Sequence, residues 1–371
     1  MPILMTANKT GAVLKGRGSV SNTGARFLEH QREVFDDGWG VSPQAGQPVV
    51  RTQVRPERAR TLITRNASPD VPFDRSVNPY RGCEHGCIYC YARPDHARLG
   101  LSPGLDFESR LTAKANAAQV LEAELARPGY RAAVLALGTS TDPYQPVERQ
   151  WGITRQLLSV LLQCRHPVSI TTKSAGILRD LDLLTALARQ DLVRVFISVC
   201  TLDGELARTL EPRAGAPQAR LDAIRRLSAA GIPVGVLVAP VIPALTDDAI
   251  ERVVAAAAAA GAQDAHYVLL RLPGEVAPLF QEWLQVHAPG RMAHVLKRLR
   301  EMRGGRLNDA AFGTRMRGQG VHAALIGQRF RKACTRHGLA PRRIQLNTAL
   351  FRPPGLVVQR SLFDEQDDAG D

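Results

Sequence analysis

The sequence predicts an α/β fold in which parallel strands alternate with helices, and three observations support this class. From about residue 74, apolar runs of strand length alternate with Ala- and Leu-rich stretches of helical length to give six strand–helix units. The apolar runs are nearly continuous, as in parallel strands that are covered on both faces. The chain has 371 residues, of which 44% are hydrophobic, enough for one barrel-sized domain with extensions or for two domains.

The first 70 residues carry Gly, Pro, Arg and Thr throughout and lack sustained periodicity. We therefore predict an irregular N-terminal extension over 1–70, partly disordered and without a catalytic role. Within it, residues 26–35 favour a short helix and residues 61–65 approach a strand.

The repeating region is predicted to cover residues 71–275. Its strands are a segment that ends at a cysteine-rich loop, then 132–137, 168–172, 193–199, 233–239 and 266–271. Its helices are 113–127, 149–163, 180–189, 217–230 and 247–260. Short strand–helix–strand units of this kind predict parallel pairing with right-handed crossovers.

Three of the six cysteines, Cys83, Cys87 and Cys90, lie within eight residues in the spacing CxxxCxxC. Gly82 and Gly86 give the backbone freedom to fold three thiolates around one centre. This spacing predicts a metal-cluster loop. The alternative is a structural zinc site with His85 or His96 as fourth ligand, although no second CxxC exists to complete it.

Three motifs are similar to one bacterial branch of the radical SAM superfamily that is distantly related to spore photoproduct lyase. They are Asn-Pro-Tyr-Arg-Gly-Cys-x3-Cys-x2-Cys-Tyr-Ala-Arg-Pro, Gly-Thr-x-Thr-Asp-Pro-Tyr-Gln-Pro-x-Glu and Arg-Thr-Leu-Glu-Pro-Arg. The resemblance covers about residues 60–355 and implies a partial (β/α)6 TIM-like barrel. It also implies that Cys83, Cys87 and Cys90 hold a [4Fe-4S] cluster whose fourth iron binds S-adenosylmethionine. One electron then cleaves a carbon–sulfur bond to give a 5′-deoxyadenosyl radical.

Residues that follow the strands are candidates for the cofactor pocket, because functional groups of such barrels lie where strands end. After the second strand, Gly138 and Thr139 occupy the place of the superfamily's Gly-Gly-Glu-like motif, and Asp142 is a looser acidic partner. A turn with an Asx cap explains Asp142 and the proline after it equally well.

The remaining cofactor candidates come from the cysteine loop and from later strands. Tyr89 offers an aromatic wall, Lys173 follows the third strand, and Ser198 and Arg213 are expected near the cofactor's ribose and carboxylate. Each of these side chains is equally compatible with a solvated or helix-capping role. Cys200 is placed to donate a hydrogen atom to a substrate radical, with a buried structural thiol as the alternative.

Residues 276–355 are predicted to form a basic helical C-terminal region. Residues 291–352 contain fifteen Lys or Arg against two acidic residues, an excess equal to the +13 of the whole chain. Such clustering is typical of nucleic-acid binding, with Lys297, Arg298, Arg300 and Arg303 as candidates. An Arg-rich solvated surface is the alternative. Residues 356–371 are expected to be an acidic disordered tail.

Together these features predict a radical SAM enzyme of lyase or transferase type whose substrate is nucleic acid or carries phosphate. The competing interpretation is a non-enzymatic nucleic-acid-binding protein stabilised by zinc or a cluster. The resemblance also implies an external electron donor of flavodoxin or ferredoxin type. No apolar segment of membrane-spanning length and no secretory signal are visible, so a soluble cytoplasmic protein is expected.

Overall fold

The structure, a computed structural model, describes residues 14–24, 26–27, 50–339 and 345–355. The predicted acidic tail and most of the predicted helix at 26–35 lie outside the described residues.

The described residues form ten strands. They are β1 (Gln53–Glu57), β2 (Thr64–Arg65), β3 (Arg75–Val77), β4 (Tyr80–Arg81), β5 (Arg110–Lys114), β6 (Leu135–Leu137), β7 (Val168–Thr172), β8 (Val193–Ser198), β9 (Val234–Val241) and β10 (Asp264–Leu269).

The same residues form twelve α-helices. They are α1 (Arg93–Ala97), α2 (Leu105–Ser109), α3 (Ala117–Leu125), α4 (Glu148–Trp151), α5 (Ile153–Gln163), α6 (Leu181–Ala188), α7 (Gly204–Leu210), α8 (Pro217–Ala229), α9 (Ile250–Ala259), α10 (Val276–His287), α11 (Pro289–Met302) and α12 (Gly320–Arg336).

The main sheet has seven strands in the order β10-β9-β8-β7-β6-β3-β2. All neighbours from β3 to β10 pair in parallel, and only the edge strand β2 is antiparallel. The six parallel strands follow one another in chain order, which confirms the predicted α/β class with six parallel units. Their carboxyl ends share one edge of the sheet, and the loops at that edge carry most of the candidate site residues.

The main core lies between one face of this sheet and the helices that cover it. Ile170, Val195 and Val236 on successive strands are fully buried, as are Leu157 of α5 and Ile224 of α8 from the covering helices. Removing one such side chain from water stabilises the fold by roughly 1.5–3 kcal/mol. The buried residues alternate with half-buried ones such as Ser169, Thr171 and Phe196, so the other face of the sheet is less covered than the apolar runs predicted.

A second, three-stranded sheet in the order β1-β5-β4 was not predicted from the sequence. Its central strand β5 occupies the start of the stretch expected to be helix 113–127, and the helix begins only at Ala117. The Arg-Leu-Thr-Ala-Lys of β5 alternates between half-buried and buried residues, which is a strand period. Its partner β1 belongs to the predicted N-terminal extension, so residues 53–57 of that extension pair with the folded body rather than being irregular.

One further helix differs from expectation. The helix predicted over 149–163 is interrupted at Gly152, whose φ of 60° ends α4 and precedes α5. In the C-terminal region, α12 packs on α9 and β10, outside the sheet.

A segment of the C-terminal region connects the two ends of the main sheet. The backbone N–H of Leu269, at the end of β10, donates to Met316 O at 2.9 Å. The backbone N–H of Gly313 donates to Asp70 Oδ1 at 2.7 Å, and Asp70 lies in the loop that follows β2. Residues 313–316 therefore lie beside the open side of the sheet, between the carboxyl end of β10 and the loop that joins β2 to β3.

Candidate active site

The three motif cysteines lie on one loop, residues 82–92, which we call the cysteine loop. It follows β4, and two turns shape it, with Gly86 N–H donating to Cys83 O at 3.3 Å and Cys90 N–H to Cys87 O at 3.1 Å. Cys83 and Cys87 are buried and Cys90 is half-buried. Burial raises the pKa of all three thiols, and Cys83 and Cys90 each add to the rise at Cys87. The three thiols are therefore electrostatic neighbours.

Two glycines of the loop are required by its geometry. Gly82 and Gly86 have φ of 75° and 66°, a region that residues with a Cβ rarely adopt. A Cβ at Gly82 would also lie 2.6 Å from Leu111 Cδ2, and one at Gly86 would lie 2.8 Å from Glu108 Oε2. Any other residue at these positions would have to displace the packing beneath the loop.

A fully buried ion pair supports the loop from below. Arg93 donates to the carbonyls of Cys87 at 3.0 Å and Gly86 at 3.2 Å, and its Nη2 lies 2.5 Å from Glu108 Oε1. Both side chains are 0% exposed. Glu108 in turn accepts the backbone N–H groups of Gly18 and Ser19 at 2.9 Å. Arg93, Glu108 and the backbone of residues 18 and 19 thus form one hydrogen-bonded network that supports the cysteine loop.

Both histidines considered as zinc ligands have other partners. His85 Nδ1 lies 3.3 Å from Asp142 Oδ2. His96 Nε2 lies 3.1 Å from Arg110 O, and its ring packs edge-on against Phe107. Within the described residues, no three or more His, Cys, Asp or Glu side chains are already grouped around a metal-sized centre. The donors that remain on the cysteine loop are three thiols, a set that fits a cluster with one open iron better than a closed zinc site.

Asp142, predicted as a cofactor residue, is engaged inside the protein. Besides His85, its carboxylate accepts from Thr172 Oγ1 at 2.6 Å and from the backbone N–H of Lys173 at 2.7 Å. Burial alone raises the pKa of this carboxyl, but His85 and the hydrogen bonds from Thr172 and Lys173 bring it below its usual value. The observed contacts tie the cysteine loop to the end of β7, and a role in binding the cofactor stays a prediction.

Three of the other candidates belong to one buried network. Lys173 Nζ lies 2.7 Å from Ser198 Oγ and 3.3 Å from Glu211 Oε1, and it stands 5.8 Å from the centre of the Tyr89 ring. The Tyr89 hydroxyl donates to the same Glu211 oxygen, and Arg220 pairs with the other. Burial lowers the pKa of Lys173, while the Cys87 thiol favours its charged form. The cation of Lys173 therefore stands beside the cysteine loop.

Cys200, the predicted hydrogen-atom donor, lies next to this network. It is 2% exposed and packs in one apolar cluster with Cys87, Tyr89 and Leu210. Its burial is compatible with a structural thiol, and its position near Cys87 is compatible with the predicted role.

The last cofactor candidates reach the cysteine loop by other contacts. Gly138 has a φ of 88°, and the Thr139 hydroxyl accepts from Asn78 Nδ2 at 3.1 Å. The carbonyl of Thr139 accepts the Tyr91 hydroxyl. Arg213, whose side chain is 38% exposed, pairs with Glu84 Oε1 at 2.7 Å. The structure thus brings all the predicted cofactor residues to the carboxyl edge or to the cysteine loop, while their roles toward a cofactor stay predictions.

The four nucleic-acid candidates differ in exposure. Lys297 and Arg300 on α11 are exposed, and Arg298 is bonded to His294 and Glu301. Arg303 is 2% exposed, and it donates to the carbonyls of Leu269 and Leu270. The prediction that Arg303 docks a polyanion is therefore wrong, because its guanidinium is used to hold the end of β10.

Sequence reasoning missed Arg93, Glu108, Glu211 and Arg220. Glu211 stands in the Leu-Glu-Pro-Arg motif that had drawn attention to Arg213. Arg220 was detectable, because it shares the apolar face of α8 with Ile224 and Leu227 at helical spacing, where a cation needs a buried partner. Nothing in the local sequence pointed to the pairing of Arg93 with Glu108.

Fold and site together define an α/β protein with a three-thiol loop at the carboxyl edge of a parallel sheet. Residues 77–257 match the family model of the radical SAM superfamily, and this part of the chain is a radical SAM domain. Members of this superfamily use a [4Fe-4S] cluster and S-adenosylmethionine.

Comparison with individual proteins agrees with this assignment. An uncharacterized protein of Mycobacterium tuberculosis (strain ATCC 25618 / H37Rv) is 42% identical over 216 residues, which cover 58% of this chain and 64% of that protein. An uncharacterized protein of Methanocaldococcus jannaschii is 27% identical over 176 residues, 46% of this chain and 61% of that protein. The matches thus span less than two thirds of these relatives.

Solved structures of spore photoproduct lyase share the fold. One mutant form superposes with a TM-score of 0.55 at 15% identity and covers 76% of this chain and 79% of its own. Another, with bound AdoMet and dinucleoside spore photoproduct, gives a TM-score of 0.52 at 16% identity. The predicted likeness to this lyase is confirmed at the level of the fold.

Proposed function

We propose that this protein is a radical SAM enzyme in which Cys83, Cys87 and Cys90 hold a [4Fe-4S] cluster. The observation that carries the proposal is the set of three thiols on a loop at the carboxyl edge of the parallel sheet, where His85 and His96 are already engaged by other partners. The cluster and S-adenosylmethionine supply an electron and a cleavable carbon–sulfur bond, from which radical chemistry on a substrate begins.

The residues of this chain orient the cofactor and keep its surroundings dry. Gly138 has no Cβ, so the backbone at this position can lie close to the next strand, β7. Lys173 and Ser198 present a cation and a hydroxyl beside Cys87. Arg213 is exposed enough to exchange Glu84 for a carboxylate of the cofactor in a two-pronged pair. Thr139 and Tyr89 line the same side, and Asp142 acts by holding His85.

The proposed substrate is nucleic acid. Exposed Lys297 and Arg300 belong to the region that carries an excess of thirteen positive charges, a distribution suited to phosphates. The reaction type, lyase or transferase, is part of the proposal, and so is a cytoplasmic location with a flavodoxin or ferredoxin as electron donor. Across the described residues, every helix is too short or too polar to cross a bilayer.

Anaerobic reconstitution tests the enzyme against a non-enzymatic zinc protein. We expect four irons and four sulfides per chain, and 5′-deoxyadenosine that forms only when dithionite and S-adenosylmethionine are both present. Alanine at Cys83, Cys87 or Cys90 should abolish the cluster. Cys164→Ala and Cys334→Ala are matched controls, because both thiols are buried but belong to the main core, away from the cysteine loop. One bound zinc and no cofactor cleavage would refute the proposal.

A further inference from the structure

Four side chains form a mixed aromatic and cationic surface beside the cysteine loop. Tyr91 belongs to the loop itself, Arg271 follows β10, and Phe312 and Arg315 come from the C-terminal segment beside the open side of the sheet. We call these four residues the Tyr91 patch.

The aromatic members of the patch are exposed yet restrained. Tyr91 is 46% exposed, although its hydroxyl donates to the Thr139 carbonyl. Phe312 is 59% exposed, with the Arg315 guanidinium 4.7 Å from its ring centre. Large exposed apolar rings cost hydration free energy, and rings whose orientation is already set can stack on a planar partner with little loss of entropy.

Of the two arginines in the patch, Arg315 has an ion-pair partner in the part of the chain that the structure describes and Arg271 does not. Arg315 Nε lies 2.5 Å from Asp70 Oδ2, so one carboxylate neutralises one guanidinium. Arg271 stacks 4.8 Å from the centre of the Tyr91 ring, and among the described residues it has neither an ion pair nor a hydrogen-bonded acceptor. Burial lowers the pKa of Arg271, and Tyr91, Arg315 and Asp70 also act on it, which places these four side chains close together. The patch retains a net positive charge.

We propose that the Tyr91 patch binds a nucleotide unit of the substrate, with the phosphate on Arg271 and an unstacked base on the exposed rings. An unpaired guanidinium matches a phosphate, and exposed aromatic side chains are the usual platforms for single-stranded bases. Tyr91 follows Cys90 directly, so a unit bound here lies next to the site of radical chemistry. This inference rests on the proposed function, since it assigns the place where that enzyme's substrate binds.

The Tyr91 patch is better suited to bind a nucleotide unit than the basic surface of α12 is. The exposed Arg331, Lys332 and Arg336 of α12 lie on a helix that packs against α9 and β10. Arg331 acts on Tyr267 within β10, whereas Arg271 follows the carboxyl end of that strand. Cations on α12 can add affinity for phosphates but cannot bring a base to the cysteine loop.

Binding of fluorescein-labelled 12-nucleotide single strands of DNA and RNA, followed by anisotropy on reconstituted protein, tests the inference. Arg271→Gln should weaken binding about tenfold and reduce the salt slope by about 0.7, as expected for one lost contact to a single strand. Phe312→Ala should weaken binding by about tenfold with the slope unchanged, within the range for a lost base stack. The control Arg127→Gln removes an exposed arginine after α3 and should bind like wild type.

Competition separates the possible sources of the nucleotide. Displacement by 5′-mononucleotides but not by nucleosides indicates a free nucleotide, and displacement by oligonucleotides alone indicates a polymer. Unchanged binding in Arg271→Gln and Phe312→Ala, an equal loss in Arg331→Gln, or no binding of any probe would overturn the inference. Dithionite-dependent cofactor cleavage by the wild-type protein is measured in parallel. If it occurs, such results reject only the patch, and if it is absent the proposed function itself fails.

Discussion

The buried pair of Arg93 and Glu108 should determine whether the cysteine loop keeps its shape. In Arg93→Met the guanidinium is lost, and with it the donors to the Cys87 and Gly86 carbonyls at 3.0 and 3.2 Å. The Glu108 carboxylate, 0% exposed, is left without its ion-pair partner. Breaking a buried pair in this way costs roughly 3–5 kcal/mol.

The structure favours the lower part of that range. Arg17 Nη1 donates to Glu108 O at 2.6 Å, and the positive charge of Arg17 interacts with the Glu108 carboxylate. The backbone N–H groups of Gly18 and Ser19 also continue to solvate the carboxylate at 2.9 Å. We therefore expect Arg93→Met to lose about 3 kcal/mol of unfolding free energy. In the double variant with Glu108→Gln neither member of the Arg93–Glu108 pair is left as an unpaired buried charge, so the two losses should not add, and their coupling should be at least about 1 kcal/mol.

Urea unfolding of the metal-free protein, followed by circular dichroism, measures these free energies. Arg98→Met is the matched control, because Arg98 caps the same helix α1 but is exposed and should change stability by less than about 0.5 kcal/mol. Iron bound per folded chain after reconstitution should also fall in Arg93→Met but not in Arg98→Met. This role of the ion pair would be refuted if Arg93→Met lost less than about 1 kcal/mol of unfolding free energy. It would also be refuted if the losses of Arg93→Met and Glu108→Gln were strictly additive in the double variant.

Two further predictions concern the scaffold. Gly138→Ala should cost about 3 kcal/mol in urea unfolding, because its φ is 88° and a Cβ would lie 2.0 Å from a carbonyl oxygen of β7. Gly129→Ala, with φ of 77° but nothing within 4 Å, should cost only about 1 kcal/mol. Burial lowers the pKa of His166 to about 4, so stability should fall by about 3 kcal/mol between pH 6.5 and 4. His166→Gln should flatten that dependence.

The sign of the pH effect follows from the proton balance. A folded-state pKa below 6.5 means that the unfolded chain binds the extra proton more readily, so stability is present above pH 6.5 and is lost as the pH falls toward 4. His166→Gln with an undiminished pH dependence would contradict the role of this ring. Equal destabilisation in Gly138→Ala and Gly129→Ala would show that the close carbonyl adds nothing to the strain of the positive φ.

Much of the architecture was predictable because it is encoded locally. Strands β7, β8 and β9 are apolar runs bounded by helices, and their parallel order follows from short strand–helix units. The strand β5 was not predicted, and its last two residues fell in the expected helix 113–127, because the residues that follow are Ala- and Leu-rich and because its partner β1 lies in a segment whose sequence has no strand period. Pairing between distant segments leaves little trace in either sequence alone.

The candidate site was likewise predictable from the sequence only in part. The spacing of Cys83, Cys87 and Cys90 expresses chemistry that a short loop performs by itself, so the motif was visible in the sequence. The partners of Arg93 and Lys173 were not, since Glu108 and Glu211 become their neighbours only when separate elements pack together. Arg303 shows the same limit, because its basic character suggested a surface role and its burial gives it a structural one.

By itself, the sequence determined the α/β class, the six parallel units and the three-thiol loop, because each depends on the order of residue types within one segment. Only the tertiary structure decided which charges are paired and which remain open. It buries Glu108 and Glu211 against cations and leaves Arg271 stacked on Tyr91. The reason is physical: the free energy of a charge depends on its desolvation and on partners distant in the chain, and both are set by packing.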